Sequence, residues 1–238
     1  MNATQLLRQP GAKAFYGVIF LNACVDLGHK ITLQNTVFKA HDGPYQVALI
    51  AVINALILLP YVTLFYPIGR VADQLPKPRL IQLAASCAGL LCMGLFVFYT
   101  LGWFWPAMAM TLLMAVQSAF YSPAKLGYLR TLFGVDRLSI ANGLSQTVVI
   151  VGILFGTLAF SLGFETLYAN FEATQGQTTE LSGLRFEKDL LIKQMAPLGW
   201  VLLVLALIQL LLAYRIPIVA EQNDNSLIKD VTDANGLR

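Results

Sequence analysis

Residues 15–38 read FYGVIFLNACVDLGHKITLQNTVF, an apolar run of membrane-spanning length from Phe15 to Phe38 that carries Asn22, Asp26, Lys30 and Gln34. These polar residues recur at every fourth position. On an α-helix they form one drifting stripe within about a third of the circumference. Asp26 falls near the centre, roughly 17 Å from either end at about 1.5 Å per residue, too deep to snorkel to water. An ionised group at that depth costs about 2.5–3.5 kcal/mol on insertion scales. Two arrangements relieve the cost: an Asp26–Lys30 pair one turn apart that locks helices together, or a stripe that faces a cavity. The polar positions continue one turn beyond the pair on both sides, so the stripe reads as part of a wet pathway.

The rest of the chain supports a membrane setting. Of its 238 residues, 57% are hydrophobic and 12% charged, with a mean hydropathy of +0.64. A water-soluble domain has no means of hiding that much apolar surface. The net charge of +3 is therefore no nucleic-acid signal, and no nucleic-acid partner is expected. Cys24, Cys87 and Cys92 all lie in apolar stretches and read as small buried hydrophobes, without disulfide or zinc spacing. No metal or cofactor is expected. Leu21-Asn22-Ala23-Cys24 faintly resembles a lipoprotein cleavage box, but the apolar pattern continues through it, so the first span directs insertion itself.

The expected fold is an all-α membrane protein of six spans: 15–38, 47–66, 80–101, 105–121, 138–162 and 198–214. Residues 1–14 form a cytoplasmic segment, 15–216 the helical domain and 217–238 a polar, disordered tail. The stretch 163–196 reads as a polar loop whose second half, Leu184 to Met195, forms an interfacial helix. Alternating the spans puts Arg8, Lys13, Arg70, Lys77, Arg79, Lys125, Arg130, Arg137 and Arg215 on one side. The other side has only Lys39, Arg185, Lys188 and Lys193, so the first is cytoplasmic and both termini lie inside. Tyr99, Trp103, Trp105, Phe164 and Trp200 then form the outer aromatic belt.

The turn after the second span reads Gly69-Arg70-Val71-Ala72-Asp73-Gln74-Leu75-Pro76-Lys77-Pro78-Arg79. Here Gly69 permits close helix approach, Asp73 caps a neighbouring helix or pairs with an arginine, and Lys77 and Arg79 hold the cytoplasmic side. Glycine, three residues, aspartate and a basic run resemble the loop between helices 2 and 3 of the major facilitator superfamily. The pattern departs at Gln74, usually basic, and at Pro76, usually glycine. The segments Phe120-Tyr121-Ser122-Pro123-Ala124-Lys125-Leu126-Gly127 and Ile140-Ala141-Asn142-Gly143-Leu144, with Asp26, narrow the likeness to the lysophospholipid transporter branch. Asn22 to Lys30 most resembles the transporter domain that some bacteria fuse to an acyltransferase.

That resemblance implies a secondary transporter in the bacterial inner membrane that moves lysophospholipid by alternating access and supplies it for reacylation. Its substrate-contacting residues would be Asn22, Asp26, Lys30, Gln34, Lys125 and Asn142, with Gly69, Arg70, Asp73, Lys77 and Arg79 as the gating loop. Lys125 would attract the head-group phosphate; without the resemblance it reads as a positive-inside lysine. Asn142 either bonds across to the fourth span or packs within the bundle. Gln117 and Gln146 are candidate cavity liners, and His29 a weak proton-relay candidate. Gly152 and Gly156, a small-xxx-small pair, indicate close packing inside the bundle in preference to a dimer contact.

Other readings stay open. The same fold serves a small organic solute or drug exported against protons, with Asp26 as proton site. An enzyme reading needs a histidine followed five residues on by aspartate, and here those positions are Gln34 after His29 and Gln46 after His41. Any acyltransferase would be a separate domain. A complete facilitator has two six-helix halves. The chain is expected to be one half or a fragment, to pair with a second half or another copy, and not to transport alone.

Overall fold

In the computed structural model, which describes residues 3–179 and 187–218, helix α2 (Ala12–Ala40) holds the centre. A short α1 (Ala3–Leu6) precedes it. There follow α3 (Gly43–Thr63), α4 (Phe65–Gln74), α5 (Lys77–Leu101), α6 (Phe104–Phe133), α7 (Leu138–Thr179), α8 (Lys188–Gln194) and α9 (Ala196–Tyr214). No strand occurs among the described residues. Four stretches are long and apolar enough to cross a membrane: Gly43–Thr63, Lys77–Leu101, Val135–Ala173 and Ala196–Tyr214. With 29 and 30 residues, α2 and α6 have the length but are more polar.

Packing explains the difference. The principal helix contacts pair α2 with α7 and α9, α6 with α3 and α5, and α5 with α9. This set is unchanged when α2, α3 and α5 are exchanged for α6, α7 and α9. The two triplets α2, α3, α5 and α6, α7, α9 thus share one contact pattern. The first helices of the two triplets meet at the middle of the bundle. Most of α2 is buried in the bundle, so it tolerates polar side chains, whereas α3 buries only Leu49, Ile53 and Pro60.

Glycines set the tightest contact. A Cβ on Gly156 would lie 2.9 Å from Cys24 Cα, and one on Gly152 would lie 2.9 Å from the Phe20 carbonyl oxygen. Backbones therefore touch, and Cys24 Sγ donates to the Gly152 carbonyl at 3.3 Å. Tyr16 reaches Ala141 and Lys39 reaches Glu165, so α2 and α7 run parallel in one register. Where lipid supplies no hydrophobic drive between helices, such close van der Waals contact holds them together.

Several expected boundaries shift. α7 does not end at Leu162 but continues to Thr179, replacing half of the expected loop. Phe164, Tyr168 and Phe171 recur on one face, and Phe171 packs against Ala40 and Leu191 at the end of α2. α6 continues through Pro123 to Phe133, where a loop was expected after Tyr121. The expected loop 69–79 shrinks to Leu75-Pro76, because α4 carries Gly69 to Gln74. Pro67 lacks the N–H that would bond to Thr63, which accounts for the break between α3 and α4.

The interfacial helix is confined to Lys188–Gln194, with Leu191 and Ile192 buried. Leu184 and Arg185, and the tail beyond residue 218, lie outside the described residues. Of the expected aromatic belt, Trp103, Trp105 and Trp200 are exposed, but Tyr99 and Phe164 are fully buried.

Candidate functional site

Where α2 crosses α6, the Asp26 carboxylate is held by neutral donors. Ser118 Oγ donates to Asp26 Oδ2 at 2.5 Å and Asn22 Nδ2 donates to the same oxygen at 2.9 Å. Asn22 Nδ2 also lies 3.3 Å from Ser118 Oγ, and Gln209 Nε2 of α9 donates to Asn22 Oδ1 at 3.0 Å. One turn outward, His29 is bonded through Nδ1 to Tyr99 at 2.9 Å and through Nε2 to Thr111 at 3.0 Å. Both its ring nitrogens are occupied, so it ties α2, α5 and α6 together.

The Asp26–Lys30 pair, the alternative to a stripe that faces a cavity, does not form. Among the described residues neither Lys30 nor Lys125 makes a hydrogen bond or ion pair. Each instead lines its own hollow. The first, about 190 Å³, is walled by Asp26, Lys30, Ile57, Tyr61, Thr111 and Met114 among others. The second, about 210 Å³, lies toward the start of α2 and includes Asn22, Asp26, Tyr121, Ser122 and Lys125. Asp26, Leu27, Tyr61 and Ser118 belong to both walls. An acid held by neutral groups thus lies between two hollows, each lined by one lysine that makes no ion pair among the described residues.

The sequence stripe is split by this arrangement. Asn22, Asp26 and Lys30 line the hollows, but Gln34 bonds to Asn54 of α3 at 3.3 Å and lines neither. Asn142 and Gln146 are exposed and away from both hollows; neither makes a hydrogen bond among the described residues. The bond expected from Asn142 to the fourth span is not made; its neighbour Ala141 is tied to α2 instead, its carbonyl accepting from Tyr16 at 3.1 Å. Gln117 is buried, accepts from Ser118 at 3.3 Å and belongs to an apolar groove between α5 and α6.

The gating-loop residues lie apart from the hollows. Nothing stands within 4 Å of a Cβ built on Gly69, so no close approach explains it here. Asp73 is exposed and neither caps α5 nor pairs with an arginine among the described residues. The Arg70 guanidinium stacks 4.8 Å from the Tyr66 ring centroid. Lys77 donates to the Ala72 carbonyl at 2.6 Å and packs its stem on Gly127, whereas Arg79 is exposed.

Ser118, Thr111, Tyr61, Tyr121 and Gln209 were not among the expected site residues. A signal exists for the first two. Thr111, Ser118 and Lys125 are spaced by seven, which on a helix places them on one face two turns apart. Gln209 is conspicuous in a helix otherwise almost wholly apolar, a setting in which a polar side chain turns inward.

Membrane-length apolar helices packed around two inner helices with polar contact faces define a multi-pass membrane protein with a charged interior. Known proteins narrow the class. The chain is 38% identical over 103 residues to "Lysophospholipid transporter LplT" of Enterobacter sp. (strain 638), covering 40% of this chain and 23% of that protein. It is 35% identical over 111 residues to the protein of the same name from Photorhabdus laumondii subsp. laumondii, covering 45% and 25%. With that of Salmonella typhimurium it shares 38% over 104 residues, covering 40% and 23%. The likeness to lysophospholipid transporters read from the motifs is thus borne out, and the alignments span about a quarter of these relatives' length. No family model matches, and no solved structure matches.

Proposed function

We propose that this chain forms a six-helix half of a major facilitator fold in the bacterial inner membrane, both termini cytoplasmic, which together with a second half or another copy carries lysophospholipid toward the cytoplasmic leaflet by alternating access. Delivery for reacylation follows from that direction of movement. The observation that carries the reading is the Asp26 carboxylate shared by two hollows, with Lys30 in one and Lys125 in the other. A head group with both signs of charge meets a partner in either hollow. Both volumes fall below the roughly 300 Å³ at which pockets begin to enclose a drug-sized ligand. Each hollow therefore suits a polar head whose acyl chain stays among apolar side chains.

Other features support the same reading. α2 and α6, the polar helices, begin the two triplets, and in facilitator folds the substrate lies at the interface between repeats. Arg8, Lys13, Arg70, Arg79, Arg137 and Arg215 precede or follow the helix ends that meet around Leu6, Phe133 and Ile216, which makes that end cytoplasmic. The exposed apolar faces of α3 and α7 suit a second half or another copy. Gly69 to Arg79 would act as the gate in a conformation other than this one, since Asp73 is uncommitted here.

The test uses the chain in nanodiscs, titrated with a fluorescent lysophosphatidylethanolamine. Saturable binding displaced by unlabelled lysophospholipid, and lost in Asp26→Asn, is expected. Binding displaced instead by a protonatable organic solute would transfer the reading to a proton-coupled carrier. No saturable lysophospholipid binding would end it.

A further inference from the structure

Among the buried tyrosines, one hydroxyl is left over. Tyr16 donates to the Ala141 carbonyl, Tyr99 bonds to His29 and Tyr128 donates to the Pro217 carbonyl. Tyr121 is 4% exposed, and its hydroxyl has no hydrogen-bond partner among the described residues. Native structures rarely leave a buried hydroxyl unsatisfied, because removal from water is then uncompensated. Tyr121 lines the second hollow, and so does Lys125, one helical turn further along α6. Residues four apart share a helix face, so Tyr121, whose buried hydroxyl is uncommitted, and Lys125 line the same space.

We infer that Tyr121 and Lys125 together bind a phosphate oxygen of the lysophospholipid head group in the second hollow, an inference that rests on the transporter reading above. The chemistry selects the phosphate over the rest of the head group. A lysine repels an ammonium, whereas a phosphodiester oxygen has lone pairs enough to accept from both a hydroxyl and an ammonium. Asp26, across the same hollow, is left for the cationic or hydroxylated end of the head group. Ser122 lines the hollow beside them and adds a small donor. Lys125 supplies long-range attraction, and Tyr121 supplies a directed bond that distinguishes phosphate from other polar groups. In this scheme Tyr121 is a specificity-determining residue.

The experiment compares two ligands with the same acyl chain on the full 238-residue chain in nanodiscs. Lysophosphatidylethanolamine carries the phosphate; a monoacylglycerol does not. Tyr121→Phe is expected to weaken the first by about tenfold and to leave the second unchanged. Equal loss for both ligands, or no loss for either, would overturn the assignment of Tyr121 and leave the transporter reading standing. Absence of any saturable lysophospholipid binding by the unaltered chain would overturn both. Because Tyr121→Phe can itself disturb folding, 3-fluorotyrosine at position 121 gives a second readout in an otherwise native chain. Its ¹⁹F resonance is expected to move with lysophosphatidylethanolamine and not with monoacylglycerol, and an identical response to the two overturns the proposal.

Discussion

Helix α2 has two contrasting flanks. Toward α7 it is dry and glycine-lined, with backbone against backbone at Gly152 and Gly156. Toward α6 it is joined by side chains, through Asn22, Asp26 and Ser118 and, one turn outward, through His29 and Thr111, with hollows beside the joint. The first contact leaves no space for a ligand or a larger residue. The second leaves space for both a head group and a rearrangement. Structural and functional demands on one helix are thus separated by about half a turn.

The contrast breaks most readily at the glycines. Gly156→Leu would drive a side chain into the Cys24 backbone, and should cost about 3 kcal/mol or more of stability, read as loss of monodisperse protein and a lower thermal midpoint. Gly143→Leu, where the surroundings are open, should leave the midpoint unchanged. A tolerant Gly156 would mean that the seam does not hold the bundle together.

On the opposite flank, Ser118→Ala removes the shortest bond to Asp26 and should cost about 1–3 kcal/mol in denaturant unfolding. Lysophospholipid affinity should fall with it. Gln209→Leu removes the link to Asn22 but also a buried carbonyl oxygen that has no partner, so the net change should stay within about 1 kcal/mol. The smallest effect should come from Lys39→Ala. Its 3.1 Å pair with Glu165 is partly exposed, so less than about 1 kcal/mol is expected, shrinking as salt is added.

Much of the dry flank could be read from the sequence. Gly152 and Gly156, four apart in an apolar helix, announce close packing, within the bundle or against a second copy, and the structure shows the first. The depth of Asp26 likewise demanded a polar environment. The identity of that environment was less legible. Ser118 is a single small hydroxyl in an apolar helix, and only its seven-residue spacing from Thr111 and Lys125 marks the face it occupies. Gln34 belongs to the same stripe as Asp26 by spacing, yet the stripe drifts around α2 until Gln34 meets Asn54 of α3. Tyr99 and Phe164 stand at helix positions suited to the membrane boundary, but tertiary contacts bury both. Membrane thickness also limited the reading of length, because it bounds what crosses the lipid and says nothing of how far α6 and α7 continue as helix.

The seam between α2 and α7 fixes where motion is permitted. Two rods whose main chains already touch have no clearance to slide or twist against each other, so they travel as one spine. In the proposed transport cycle, a switch in which hollow faces outward would be taken up where α6 leans on that spine, through the bonds of Ser118 with Asn22 and Asp26 and of His29 with Thr111.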